Sequence, residues 1–250
     1  MAGLNANTAL LLHCNGVDTS TTFTDSSTAA TKTMTAVGNA QIDTAQSVFG
    51  GASGLFDGNG DYLTTPDHAD WDLMGVATQD YTIDFRIKYN THGDGERWMQ
   101  QWDTTGPSYY WSFEMSSGGP NFIVWDGVGV PINITGANFT DGNWHHLALI
   151  KKGAATAEFG IYNDGVQVAY GSTSSTVSIA GILYIAARNA GTEPLNGWMD
   201  EIRIQKENYF NASPNVGLTD TITVPTAEYD SSTTSMKDMI MVNSILAAPR

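Results

Sequence analysis

An all-β fold, two antiparallel sheets packed as a jelly-roll sandwich, is what this chain predicts, on three observations. Its dominant hydrophobic period is two, turn residues fill nearly every gap between apolar segments, and no long segment shows a 3.6-residue period. At 250 residues, 41% of them hydrophobic and with seven Trp, ten Tyr and nine Phe, the chain can bury a substantial core.

The elements follow in order. The apolar run Ala9 to Leu12 reads as a first strand. Residues 18–47 are rich in Thr, Ser and Ala and read as a long loop. In 81–89, Tyr81, Ile83, Phe85, Ile87 and Tyr89 alternate with Thr82, Asp84, Arg86 and Lys88, the pattern of a half-buried strand. Short strands are expected at 96–102, 109–115, 121–125, 144–151, 158–162, 166–170, 183–187 and 198–204. Those at 144–151 and 183–187 are apolar on both faces and belong mid-sheet. Asn163-Asp164-Gly165 is a hairpin signal, because a tight two-residue turn demands positive φ. Beyond about Ser213 the core pattern ends. The chain divides into a sandwich, 1–212, and a C-terminal arm or extension, 213–250. That arm holds an extended piece at 219–226, a polar stretch at 231–235 and an apolar cluster in 236–250. It packs back on the sandwich or docks on a neighbouring subunit.

Charge narrows the partners. A net charge of −15 argues against nucleic acid and anionic membranes and suits cations such as calcium. Cys14 is the single cysteine, so neither a disulfide framework nor a Cys-based zinc site is expected. The N-terminus lacks a basic leader, and the apolar run at 9–12 is too short for a signal peptide or membrane span. No classical export signal is therefore expected.

Four segments carry a family likeness: Ala9-Leu10-Leu11-Leu12-His13-Cys14-Asn15-Gly16-Val17-Asp18; Gly51-Ala52-Ser53-Gly54-Leu55-Phe56-Asp57-Gly58-Asn59-Gly60-Asp61-Tyr62-Leu63; Gly142-Asn143-Trp144-His145-His146-Leu147-Ala148-Leu149-Ile150; and Leu195-Asn196-Gly197-Trp198-Met199-Asp200-Glu201-Ile202-Arg203-Ile204. In this order over residues 8–210 they resemble the laminin-G-like branch of the concanavalin-A-like lectin/glucanase superfamily. With its lone cysteine and Thr/Ser/Gly/Asn-rich composition, the chain looks most like members in bacteriophage structural proteins. The resemblance implies a two-sheet jelly roll but fixes no ligand, because the fold hosts many functions.

Candidate sites follow from the residues and from that resemblance. Glucanases of this fold carry paired carboxylates at alternate strand positions, and the sequence shows no such pair. Asp200 and Glu201 are adjacent, so on a regular strand they face opposite ways. The resemblance implies a structural calcium at Asn15, Gly16, Asp18 and Asp200; the competing reading has Asp18 capping a turn and Asp200 bonding a backbone amide. His145-His146 reads as structural, one His partly buried and the other nearer solvent. Aromatic rings are the glycan candidates, since sugars stack on exposed rings. Trp98 and Trp102 are expected on one strand face, with Tyr110 and Trp125 on the strands that follow; the competing reading places such rings in the core.

The expected function is a non-catalytic lectin-like structural module on a virion surface, decorating a capsid or tail. Its partners would be other virion proteins or its own copies, through the arm, and cell-surface glycans. No nucleic-acid binding or membrane insertion is expected. The alternatives are an extracellular adhesion module of a bacterial surface protein and, third, an atypical glycoside hydrolase.

Overall fold

The computed structural model describes residues 4–103, 108–139 and 141–230. Its strands are β1 (Thr8–Leu12), β2 (Thr35–Val37), β3 (Gln41–Asp43), β4 (Ser53–Asp57), β5 (Tyr62–Thr65), β6 (Tyr81–Tyr89), β7 (Arg97–Asp103), β8 (Tyr109–Ser116), β9 (Gly119–Asp126), β10 (Ile132–Thr135), β11 (His145–Lys152), β12 (Ala157–Asn163), β13 (Val166–Thr173), β14 (Ile182–Ile185) and β15 (Asn196–Gln205). They form two antiparallel sheets. One runs β13-β12-β11-β6-β15-β4-β3, with β1 also on β15; the other runs β10-β9-β8-β7-β14-β5-β2. The sandwich read from the sequence is the fold observed, and β11 and β14 lie mid-sheet as their apolar composition requires.

Alternation builds the core. Ile83, Phe85 and Ile87 of β6 face Met99, Trp111, Phe113 and Phe122 of the other sheet in one buried cluster. The β12–β13 hairpin turns on Asp164 (φ 47°) and Gly165 (φ 86°), the left-handed pair that a type I′ turn needs.

Two stretches are more ordered than their composition suggests. Residues 18–47 contain β2 and β3, one on each sheet. Within them Asp25 is buried, accepting from the backbone amides of Leu11, Ser27 and Lys32. The segment after β15 does not leave the sandwich at 212. Tyr209, Phe210, Ala212, Ile222 and Tyr229 pack on Leu11, Ala148, Ile150 and Tyr162, covering the β1, β11 and β12 part of the larger sheet's outer face with a second apolar core. Asp220 accepts from Tyr162 Oη at 2.7 Å, and Thr221 bridges to Val166. Residues 213–230 thus pack on their own sandwich; the expected apolar cluster in 236–250 lies outside the described residues.

This cover explains why the outer-face residues Thr82 and Asp84 in the first half of β6 are buried. Asp84 points away from the main core yet is 0% exposed, as is Arg203. Arg203 Nε donates to Asp84 Oδ1 at 2.8 Å, and the guanidinium sits 3.8 Å from the centres of both the Tyr209 and Tyr229 rings. His146 Nε2 lies 3.1 Å from Asp84 Oδ2, which also accepts from the Tyr229 hydroxyl.

Candidate functional site

Three of the four aromatic candidates fall on the outer face of the seven-stranded sheet. The register there sets three rows of side chains across the strands. Ile182, Trp102, Tyr110 and Trp125 form the first. Thr64, Tyr184, Gln100, Ser112, Ile123 and Asn133 form the second. Arg97, Glu114, Asn121 and Thr135 form the third, so the face grades from aromatic to charged.

Trp102 and Tyr110 are stacked, centroids 4.8 Å apart and planes within 5°. The Arg188 guanidinium lies 4.9 Å from the Trp102 ring centre. Trp102, Tyr110 and Trp125 are each partly exposed. Trp125 has no ring or side-chain hydrogen-bond partner among the described residues, which leaves its face free for an apolar ligand surface.

The charged row is internally compensated. Arg97 pairs with Glu114 through Nη1 and reaches Glu193 Oε2 at 3.2 Å; Arg188 Nη1 lies 3.4 Å from Glu193 Oε1. Burial pushes the Glu114 carboxyl up, against the pull of Arg97. Burial likewise raises the Tyr110 hydroxyl, with Glu114 adding to the shift. Glu114 has Arg97 and Asn121, not a second carboxylate, as its cross-strand neighbours.

Trp98 does not join this face. It is 0% exposed, packs edge-on against Phe85 and Phe113, and donates from Nε1 to Tyr89 Oη at 2.6 Å. The register between β7 and β8 shifts between Arg97 and Met99, so a β-bulge turns both Trp98 and Met99 into the core. Strict alternation from Trp102 therefore misplaces it.

A second bulge corrects the expectation for Asp200 and Glu201. The β15–β6 register shifts between Asp200 and Arg203, and Glu201 takes φ 50°. Glu201 consequently reaches the covering segment, accepting from Tyr229 N at 2.9 Å, and lies 2.5 Å from His13 Nδ1.

Three of the four residues of the calcium reading, Asn15, Asp18 and Asp200, are committed to separate protein partners. Asp200 Oδ2 accepts from the Val48 and Phe49 amides at 2.8 and 3.1 Å, and Oδ1 from Glu201 N. Burial still pushes its carboxyl up to about 6. Asp18 caps Thr44 N, Asn15 donates to Glu228, and Gly16 lies against the Ile42 side chain. A carboxylate ringed by N–H donors presents the wrong partners to a cation, and no group of three or more His, Cys, Asp or Glu among the described residues is placed to hold a metal. These residues do not fit calcium.

His145 is the nearer to solvent, and His146 is buried more fully than the partial burial expected. His146 is buried beside Asp84. His145 lies between Asp141 at 2.8 Å and Asp164 at 2.6 Å, and the two carboxylates raise its pKa against the opposing effect of burial.

A laminin-G family model described as the concanavalin A-like lectin/glucanases superfamily matches residues 57–209. The chain belongs to that superfamily. No curated protein matches the sequence. Among solved structures, it is similar to domain 4 of a GH43 extracellular arabinanase from Geobacillus stearothermophilus, in complex with arabinotriose. That likeness has 16% identity and TM-score 0.58, covering 87% of this chain and 94% of that one. It is also similar to the binding domain of Paraclostridial Mosquitocidal Protein 1, at 14% identity, TM-score 0.63 and coverage of 82% and 53%. The receptor binding domain of botulinum neurotoxin D matches at 13% identity and TM-score 0.58, over 81% and 50%. The chain spans about half the length of these two toxin chains. At such identities the likeness shows the lectin-like fold.

Sequence reasoning reached Trp102, Tyr110 and Trp125 but missed Gln100, Tyr184 and Arg188. Gln100 shares the parity of Trp102 two residues on, a signal that could have found it. Tyr184 and Arg188 come from β14 and the turn after it, whose pairing with β7 bridges some eighty residues that the sequence leaves open.

Proposed function

We propose that this chain is a non-catalytic lectin-like module that engages carbohydrate on the outer face of its seven-stranded sheet. The observation that carries this reading is the cross-strand row Trp102–Tyr110–Trp125, partly exposed, while the β1, β11 and β12 part of the opposite outer face is covered by the chain itself. Trp125 supplies the stacking surface, and polar groups of the neighbouring row orient the sugar. The pairing of Glu114 with Arg97 supports a binding role over glycoside hydrolysis, which needs two carboxylates flanking the bond. We place the module on a virion surface, a reading supported by its Thr/Ser/Gly/Asn-rich composition and single cysteine; residues 231–250 would then contact other virion proteins or further copies.

A glycan array with the wild type and Trp125→Ala tests the binding function. Retention of oligosaccharides that the variant loses supports it; equal retention, or release of reducing sugar by the wild type, contradicts it. Association with purified particles, lost on removing residues 231–250, tests the placement.

A further inference from the structure

Resting on the carbohydrate reading above, we propose that Gln100 is the residue that selects the ligand, and that the ligand is a neutral sugar held through a pair of adjacent hydroxyls. Gln100 sits at the centre of the second row, between Tyr184 on β14 and Ser112 on β8, one step along β7 from Trp102. It is 0% exposed, and neither its Nε2 nor its Oε1 has a hydrogen-bond partner among the described residues. A buried amide left with both a donor and an acceptor unmade is costly to the fold and calls for an explanation. Gln101, next along the strand on the core side, has its amide satisfied: it accepts from Trp111 Nε1 and donates to the Ile179 carbonyl.

The unmade pair defines the ligand chemistry. An amide side chain offers an acceptor and a donor side by side, and two adjacent hydroxyls return the complement, one donating and one accepting. A carboxylate only accepts and would leave Oε1 facing another acceptor. The cations beside the row provide no compensation for an acidic sugar, because Arg97 and Arg188 are already paired with Glu114 and Glu193. With a chain charge of −15, the wider field opposes anionic ligands too. Because Gln100 is covered, a sugar stacking near Trp125 reaches it by displacing a flanking side chain.

Calorimetric titration of the full chain tests this, using neutral arabinotriose, xylotriose and maltotriose against trigalacturonate and sialyllactose. The variants are Trp125→Ala, Gln100→Met and Gln100→Glu, the last keeping the length and the acceptor but losing the donor. The expected result is that a neutral trisaccharide binds at least tenfold tighter than both acidic probes, and that each Gln100 variant weakens it at least tenfold. Gln100→Met should melt no lower than the wild type, since it removes an unpaired buried amide. Neutral binding lost in Trp125→Ala but unchanged in both Gln100 variants overturns this proposal and leaves the carbohydrate face standing. Tighter binding of an acidic probe overturns it as well. Absence of binding to every probe, or binding indifferent to Trp125, overturns both.

Discussion

Asp84→Asn removes the charge that compensates Arg203 at a place where both side chains are 0% exposed. Both carboxylate oxygens are in use, Oδ1 by Arg203 Nε and Oδ2 by His146 and the Tyr229 hydroxyl, so the variant leaves a buried cation facing a neutral amide. Breaking one side of a buried pair costs about 3–5 kcal/mol. The Tyr209 and Tyr229 rings retain part of the compensation, so the lower end, about 3 kcal/mol, is expected. For a chain of this size that corresponds to a fall in Tm of about 6–12 °C. Urea unfolding followed by tryptophan fluorescence measures it. Removing both charges in Asp84→Leu/Arg203→Met should recover much of the loss, because the desolvation of each ion disappears with it. Burial raises the Asp84 carboxyl, but Arg203 and His146 outweigh it and hold the carboxyl below its usual range. A depressed folded pKa gives stability that is present above the ordinary value of about 3.9 and lost as pH falls through the folded one. The gap between wild type and Asp84→Asn should therefore close in strong acid. A loss below about 1 kcal/mol at neutral pH, or a double variant no better than the single, would refute the argument.

Other expectations follow from the same structure. Trp98→Ala should cost about 3–5 kcal/mol in urea unfolding, while Trp125→Ala, partly exposed, should cost less than about 1 kcal/mol; equal losses would contradict the bulge. His145 has a raised folded pKa, so its contribution is full below the unfolded value of about 6.5 and lost as pH rises through the folded value. His145→Gln should thus destabilise more at about pH 5.5 than at about pH 9, read by urea midpoints at the two values. Gly165→Ala should cost about 1–2 kcal/mol, since φ is 86° and the new Cβ meets the Ile222 carbonyl at 2.6 Å. Deleting 231–250 should leave the melting temperature close to the wild type, whereas deleting 213–250 should lower it by uncovering Tyr162 and Ile150; matching melts would show that 213–230 adds nothing to the fold.

The contrast between Trp98 and Trp102 shows where the sequence is readable. Alternation in 81–89 is a local property, and all five of its apolar residues enter the core. Alternation in β7 fails at one bulge, which leaves no mark in the composition of Arg97-Trp98-Met99. The same holds for Glu201, whose positive φ no residue preference announces. Burial of Asp84 depends on a segment more than a hundred residues away folding across β6, so a polar position on an expected half-buried strand turns out to hold an enclosed ion pair. Of the glycan candidates, three of four stand together because their parity survives in β8, β9 and the second half of β7. The parity of Gln100 with Trp102 was legible, but Tyr184 and Arg188 were out of reach, because they arrive through β14 and the turn after it.

Carbohydrate binding on the aromatic face is tested most directly by an amide chemical-shift map of the chain titrated with an oligosaccharide selected on the array. Shifts are expected to cluster at 100–102, 110–112, 123–125 and 182–184, with the 206–230 segment silent. Shifts concentrated on that segment or on β11–β13, with the aromatic row unmoved, would contradict it.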